Sequence, residues 1–298
     1  MTAVMKESGG SAHNLLMSAT TPTQVKGANA VSQSGPSWRA VALPVEHGGW
    51  SFLIEPLILG LVVAPSVAGG WLALAAVAAF LARQPMKLAA LDRRRGARYP
   101  RTALAEKFLA FYSIVALLAF GAAFSLSPTA VLAPLALAAP FAVAALWRDF
   151  QGRGREALPE IAAGIALGAS ATAIIVAGRG AADIAWLAWA LGAGRTITAV
   201  LYVRARVRVD RHLTEASRFA LARPVLFVHA LALLAAVFAA RASLLSPIAA
   251  SAFALLLLRT VYGLAPGQKP IRPQMLGVQE VVVGIACLCL FAIGLTTT

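Results

Sequence analysis

From Leu81 to Lys107 the chain reads L-A-R-Q-P-M-K-L-A-A-L-D-R-R-R-G-A-R-Y-P-R-T-A-L-A-E-K. This stretch leaves one long apolar run and enters another, and it carries Arg83, Lys87, Arg93, Arg94, Arg95, Arg98, Arg101 and Lys107. Two apolar runs joined by a basic tip read as a membrane hairpin. Lys and Arg beside membrane spans collect on the cytoplasmic side, so the tip sets the orientation expected for the whole chain.

The composition agrees. Of 298 residues 59% are hydrophobic and 13% charged, and the mean hydropathy is +0.76. A water-soluble globule of this length cannot bury so much apolar surface. The net charge of +14 would suggest nucleic acid for a soluble protein. Here the excess lies in connections between apolar runs, where the positive-inside bias accounts for it, and no nucleic acid partner is expected. Cys287 and Cys289 stand two apart in one apolar run, on different helix faces, and read as packing thiols rather than a disulfide.

Working outward, each apolar run from Trp50 onward receives one span. Nine helices are expected, at 48–66, 70–90, 104–125, 129–147, 158–177, 183–203, 221–241, 243–262 and 274–295. Residues 1–38, rich in Ser, Thr, Gly, Asn and Gln, form the expected disordered cytoplasmic tail, and 39–298 a single all-α, polytopic helical bundle in contact with lipid. The connections after spans two, four, six and eight hold Arg93 to Arg101, then Arg148, Arg153 and Arg155, then Arg204 to Arg223, then Arg259, Lys269 and Arg272. The other side offers only Arg179 and Arg241. The N-terminus is therefore expected inside and the C-terminus outside. A faint repeat accompanies this: spans two and six end in Arg83 and Arg204, and lead to Asp92-Arg93 and Asp210-Arg211.

A carboxylate or guanidinium near the bilayer centre costs on the order of 2.5–3.5 kcal/mol, so it persists where it is paired, hydrated or used. Such groups are few. Glu46 and His47 open span one and Glu55 lies deeper in it; Gln84 and Lys87 close span two; Glu160 opens span five; Arg195, His229 and Glu280 lie in spans six, seven and nine. Apart from His229 they fall in the expected cytoplasmic half or near mid-membrane, which points to one polar cavity open to the cytoplasm. Glu55 precedes Pro56, and either faces that cavity or resatisfies backbone at a kink. Arg195 has Glu55, Glu160 and Glu280 as available partners, and both a structural pair and an anion-binding role stand open. His47, in E-H-G-G-W, is a ligand or acid/base group with an ordinary pKa of about 6.5, or an interfacial helix cap. His229 reads as a core residue.

No His/Cys cluster has metal-ligand spacing, no phosphate-cradling glycine loop follows a strand, and no Ser/His/Asp set can be assembled. What remains is a basic rim, made of Arg83, Lys87 and Arg93 to Arg101 from one loop and Arg204 to Arg211 from another. It serves topology and anionic headgroups, or it binds phosphate or carboxylate oxygens.

Two resemblances follow. The segments P-V-E-H-G-G-W-S-F-L-I-E-P-L-I-L-G-L, A-R-Q-P, W-R-D-F-Q-G-R and Y-V-R-A-R resemble the YwiC-like family of bacterial membrane proteins, from about residue 42 to the end. That likeness implies a location in the bacterial inner membrane and no particular activity. The layout of nine spans with long loops after the second and sixth is similar to the UbiA superfamily of intramembrane prenyltransferases, which read N-D-x-x-D-x-x-x-D-R near the end of span two. The frame here is Gln84, Pro85, Leu88, Asp92 and Arg93, with Gly96, Arg98, Pro100 and Arg101 after it, and Asp210-Arg211 after span six. In that superfamily the carboxylates hold Mg²⁺ against a prenyl diphosphate. With Pro85 and Leu88 in place of two acids and Lys87 added, the metal-diphosphate site is altered, and prenyl or alkyl transfer by the standard route is not implied.

The expectation is a cytoplasm-facing cavity for an isoprenoid, quinone-like or lipid-phosphate ligand with an anionic head. Arg83, Lys87, Arg93 and Arg204 would meet the head, Asp92 and Asp210 would orient those cations, and Glu46, His47 and Glu55 would form a polar floor; Gln84, Arg195 and Glu280 are further ligand-binding candidates in the same pocket. The alternatives are a carrier whose charged pathway is Glu55, Arg195 and Glu280, and a non-catalytic partner of a membrane enzyme complex.

Overall fold

A computed structural model describes residues 37–44, 47–210 and 215–297. Among these residues ten α-helices follow one another: α1 Trp38–Ala42, α2 His47–Val63, α3 Val67–Arg94, α4 Pro100–Leu126, α5 Leu132–Phe150, α6 Ala157–Ala177, α7 Ala182–Val209, α8 Glu215–Arg241, α9 Pro247–Leu264 and α10 Pro273–Thr296. A 3₁₀ turn, Thr129–Val131, leads into α5. The described residues form no strand. Helices are what an apolar chain must form in lipid, because each satisfies its own backbone hydrogen bonds.

Eight of these helices are long and apolar enough to cross a membrane, and α2 is a shorter apolar helix. At 17 residues α2 spans about 25 Å, against roughly 30 Å of hydrocarbon. The protein is a multi-pass integral membrane protein: the nine expected spans fall on α2 to α10, of which eight, α3 to α10, have the length and hydropathy to cross. The 1–38 tail falls almost wholly outside the described residues, as do Glu46 and Arg211. The short helix α1, which precedes the first expected span, buries Val41 and Ala42, with Gln84 Nε2 donating to Ala40 O at 3.4 Å and Tyr112 Oη to Ala42 O at 3.3 Å.

Two helices run past their apolar residues. Both α3 and α7 are 28 residues long, so Asp92 to Arg94 and Arg204 to Val209 are helical instead of loop. These tails, D-R-R and R-A-R-V-R-V, are rich in Arg, a good helix former whose long side chain stretches to the interface without breaking the helix.

The central helix is α6, which packs against α2, α3, α5 and α7. Small residues bring it close to its neighbours. A methyl on Gly60 of α2 would meet Ile174 Cβ at 2.8 Å and Ala171 O at 3.0 Å, so only glycine lets α2 lie against α6. By contrast α4 and α8 are peripheral. Phe111, Ile114, Leu117 and Leu118 of α4 and Phe227, Leu231, Leu234 and Phe238 of α8 all face outward, at helical spacing, as a lipid-contacting surface requires. The basic connections 95–99, 151–156 and 265–272 join helix ends on one side of this up-and-down bundle, called the basic end below.

Candidate functional site

At the basic end most of the expected cations are matched by carboxylates. Arg83 and Lys87 of α3 both reach Asp149 of α5: Arg83 Nε donates to Asp149 Oδ2 at 2.7 Å, and Lys87 Nζ lies 3.3 Å from Oδ1. Asp149 is 2% exposed. It lies in the W-R-D-F segment, yet residue type alone does not mark it as the partner of α3. Together with Pro44, Phe80 and Gln84 the three line a recess of about 10 Å³. Arg93, exposed, pairs with Glu106 at 2.9 Å, as does Arg98.

Asp92 and Asp210 do not orient these cations. Asp92 is fully buried and accepts from Arg101 Nη2 at 2.7 Å, Arg101 Nε at 3.1 Å and Thr102 Oγ1 at 2.7 Å, so it fastens α3 to the start of α4. Asp210 Oδ2 accepts from Ile271 N at 3.2 Å, and its Oδ1 lies 3.4 Å from Arg206 Nη2. Arg206, expected in the solvated rim, is 1% exposed and donates to Gly263 O at 2.5 Å and Lys269 O at 2.6 Å. It closes α7 onto the α9–α10 turn. Arg204 is held by Glu160 at 3.0 Å and by the carbonyl of Arg155. The α3 end is thus tied to α4 and α5, and the α7 end to α6, α9 and the α9–α10 turn.

Magnesium needs several hard oxygens free to converge. Both oxygens of Asp92 are engaged by Arg101 and Thr102, and Asp210 serves Arg206 and a backbone amide. Among the described residues no group of three or more His, Cys, Asp and Glu side chains could hold a metal. The donor set does not fit Mg²⁺.

A second constellation lies inside the bundle. Arg195 stands midway along α7, about 20 Å from either end. Its side chain is 4% exposed, and Nη2 lies 3.2 Å from Glu55 Oε1 of α2 and 3.4 Å from the carbonyl of Glu280 of α10. The Glu280 carboxylate in turn pairs with Arg259 of α9, whose guanidinium sits 3.9 Å over the ring of Tyr202. The quartet contains two acids and two guanidinium cations. Of the alternatives for Arg195, Glu55 and the Glu280 backbone are realised, while Glu160 stays with Arg204. Gln84 belongs to the recess at the basic end, so the expected single pocket is two separate clusters.

Arg259, expected in the connection after span eight, stands inside α9 and is a member of the site that was not among the expected candidates. Tyr202 was not among them either. A signal was available: Arg195, Tyr202, Arg206 and Asp210 are spaced seven, four and four apart, which places them on one face of α7. His229, expected as a core residue, is 1% exposed on α8 with Nδ1 2.8 Å from Val225 O.

Glu55 and Arg195 open onto a cavity of about 30 Å³ between α2, α6, α7 and α10, room for one or two water molecules. Pro56 and Leu59 of α2, Gly164 and Gly168 of α6, Gly192 of α7 and Phe291 of α10 complete its wall. It extends from mid-bundle away from the basic end, as far as Ala188 in the second turn of α7 and Phe291 near the end of α10. Gly192 has nothing within 4 Å of where a Cβ would stand, while Gly164 and Gly168 let α6 approach Thr196 and Trp189 of α7. Arg195 Nε and Nη1 and Arg259 Nε and Nη2 are buried without a hydrogen-bond partner among the described residues. Such donors in a low-dielectric interior strongly favour an oxygen acceptor.

Residues 43–175, from the edge of α2 almost to the end of α6, match the family model described as YwiC-like protein. The match covers under half of the chain and holds the E-H-G-G-W, A-R-Q-P and W-R-D-F segments, Glu55 and Asp149, while Arg195, Arg259 and Glu280 lie beyond it. No curated protein and no solved structure matches the chain.

Proposed function

We propose that this protein is a carrier of the bacterial inner membrane that binds a small anion, such as a carboxylate or another planar oxyanion, at Arg195. The basic end faces the cytoplasm, the N-terminus is inside and the C-terminus outside. The observation that carries this reading is a guanidinium buried at mid-bundle, with donors to spare, in the wall of a cavity it shares with Glu55. Arginine's planar fork suits two oxygens of one anion. Sites at mid-depth between helices are where carriers hold their solutes. The α7 stripe gives a polar line toward the basic end, and the cavity leads the other way.

The test uses formate and nitrate as probes on the full chain in detergent micelles, read by thermal unfolding and by fluorescence of Trp189, whose ring lies beside Gly168 in the cavity wall. Three non-hydrogen atoms at a ceiling of about 1.5 kcal/mol each set the best formate Kd near 1 mM. Arg195→Gln is expected to abolish binding of both ions and the uptake of nitrate into proteoliposomes, while Arg195→Lys, which lacks the fork, weakens binding about tenfold. Folded Arg195→Gln that binds as the wild type does, or wild type that binds neither ion, overturns the reading.

A second reading has its own observation. Arg83 and Lys87 share the single acid Asp149 and keep 29% and 28% of their side-chain exposure, leaving one excess positive charge at the recess beside Pro44 and Gln84. That excess suits the phosphate of an isoprenoid or lipid headgroup at the membrane surface. Lipid phosphate co-purifying with wild type and lost in Arg83→Gln, Lys87→Gln would support it.

A further inference from the structure

We infer that the anion bound at Arg195 takes a proton with it, carried by Glu55, so that the site loads an anion and a proton together. The inference rests on the anion-binding reading above and adds the coupled ion.

The argument is a charge count. Glu55 meets Arg195 from α7, and Glu280 from α10 with Arg259 from α9 behind it. The other titratable groups near the four are the Cys287 thiol of α10, the Tyr202 hydroxyl of α7 and, near Arg259, the His229 imidazole of α8, all neutral in their ordinary state at pH 7, while Arg206 and Asp210 further along α7 balance each other. Where α6 faces the cavity it presents Gly164 and Gly168, and α3 meets α2 through apolar Phe80 and Leu72. The cluster is therefore neutral when empty: two carboxylates against two guanidinium ions. Arg195 offers its fork to an anion by giving up Glu55 Oε1 at 3.2 Å. Three negative groups would then face two cations in a low-dielectric interior, where an unpaired charge is disfavoured and the group neutralises instead.

Glu55 is the group placed to neutralise. It is the acid displaced, and its side chain keeps 18% exposure against 4% for Arg195, so a proton can reach it. Glu280 stays clamped to Arg259. The balance is one anion and one proton taken up, one carboxylate converted to carboxylic acid, and the cluster neutral before and after. Pairing resets when the anion leaves: Glu55 releases its proton and returns to Arg195.

The experiment measures proton uptake directly. Formate or nitrate is added to the solubilised protein in weakly buffered solution with a pH-indicating dye, and anion binding is followed in parallel by Trp fluorescence. Nitrate is the anion of a strong acid, so any proton taken up belongs to the protein. The expected result is one proton consumed per nitrate bound, with the apparent affinity falling tenfold per pH unit above the titration of Glu55. In Glu55→Gln the amide cannot titrate, so nitrate binds with no proton uptake and an affinity independent of pH. Nitrate binding with no proton taken up by the wild type overturns the coupling and leaves the anion site standing. Proton uptake that persists in Glu55→Gln overturns the assignment to Glu55. Absence of nitrate and formate binding overturns both readings.

Discussion

Replacing Asp92 by alanine separates a structural acid from a ligand-binding one, and its size follows from the hydrogen bonds it makes. Asp92 accepts two from Arg101 and one from Thr102. The Arg101 side chain keeps 41% exposure, so in Asp92→Ala it rehydrates, and its lost partner counts nearer ~1 kcal/mol than the ~3–5 kcal/mol of a fully buried pair. Thr102 is 1% exposed and retains only the hydrogen bond that Tyr99 N donates to it at 3.1 Å. Its hydroxyl proton loses its acceptor, at ~1–3 kcal/mol. The sum is about 2–4 kcal/mol, or roughly 30- to 700-fold in the unfolding equilibrium. Denaturant unfolding in mixed micelles, or the unfolding rate where the transition is irreversible, reads this effect. Anion binding at the interior site should be unchanged, because Asp92 acts on the α3–α4 turn. Unchanged stability in Asp92→Ala together with lost ligand binding or a new magnesium dependence would refute this reasoning.

Two further substitutions address the quartet. Arg259→Leu leaves Glu280, 14% exposed, without its cation and should cost ~3 kcal/mol, whereas Arg259→Leu with Glu280→Leu should lie within about 1.5 kcal/mol of wild type, since a buried pair and its apolar replacement are close in stability; a double variant as unstable as the single one would contradict the pairing. A methyl at Gly284 would overlap Glu55 Oε1 and Arg195 Nη2, so Gly284→Ala should weaken nitrate binding tenfold or more, while Gly277→Ala, where a Cβ meets nothing within 4 Å, serves as the control on the same helix. Equal nitrate affinity in the two glycine variants would mean that the ion pair does not form the site.

The division between sequence and structure runs through particular residues. Apolar runs of span length and the Arg-rich connections made the helices legible: their bounds depend on composition over twenty neighbouring residues, which any reader of the chain sees. Glu55, Arg195 and Glu280 were legible as candidates because each is costly in an apolar run. Their partners were not. Arg83 and Asp149 are 66 residues apart, and Arg195 and Glu55 140; such pairings follow from which helices pack and how each is rotated. The rim arginines are the clearest case. By residue type Arg93, Arg204 and Arg206 are alike, yet one is exposed, one is half-buried against Glu160 and one is sealed under the α9–α10 turn. The chain by itself determined that charges would be few, basic on one side and expensive within the bundle. Only the tertiary structure decided which of them neutralise each other and which keep unmatched donors, because an ion pair's fate depends on a few ångströms between helices distant in sequence.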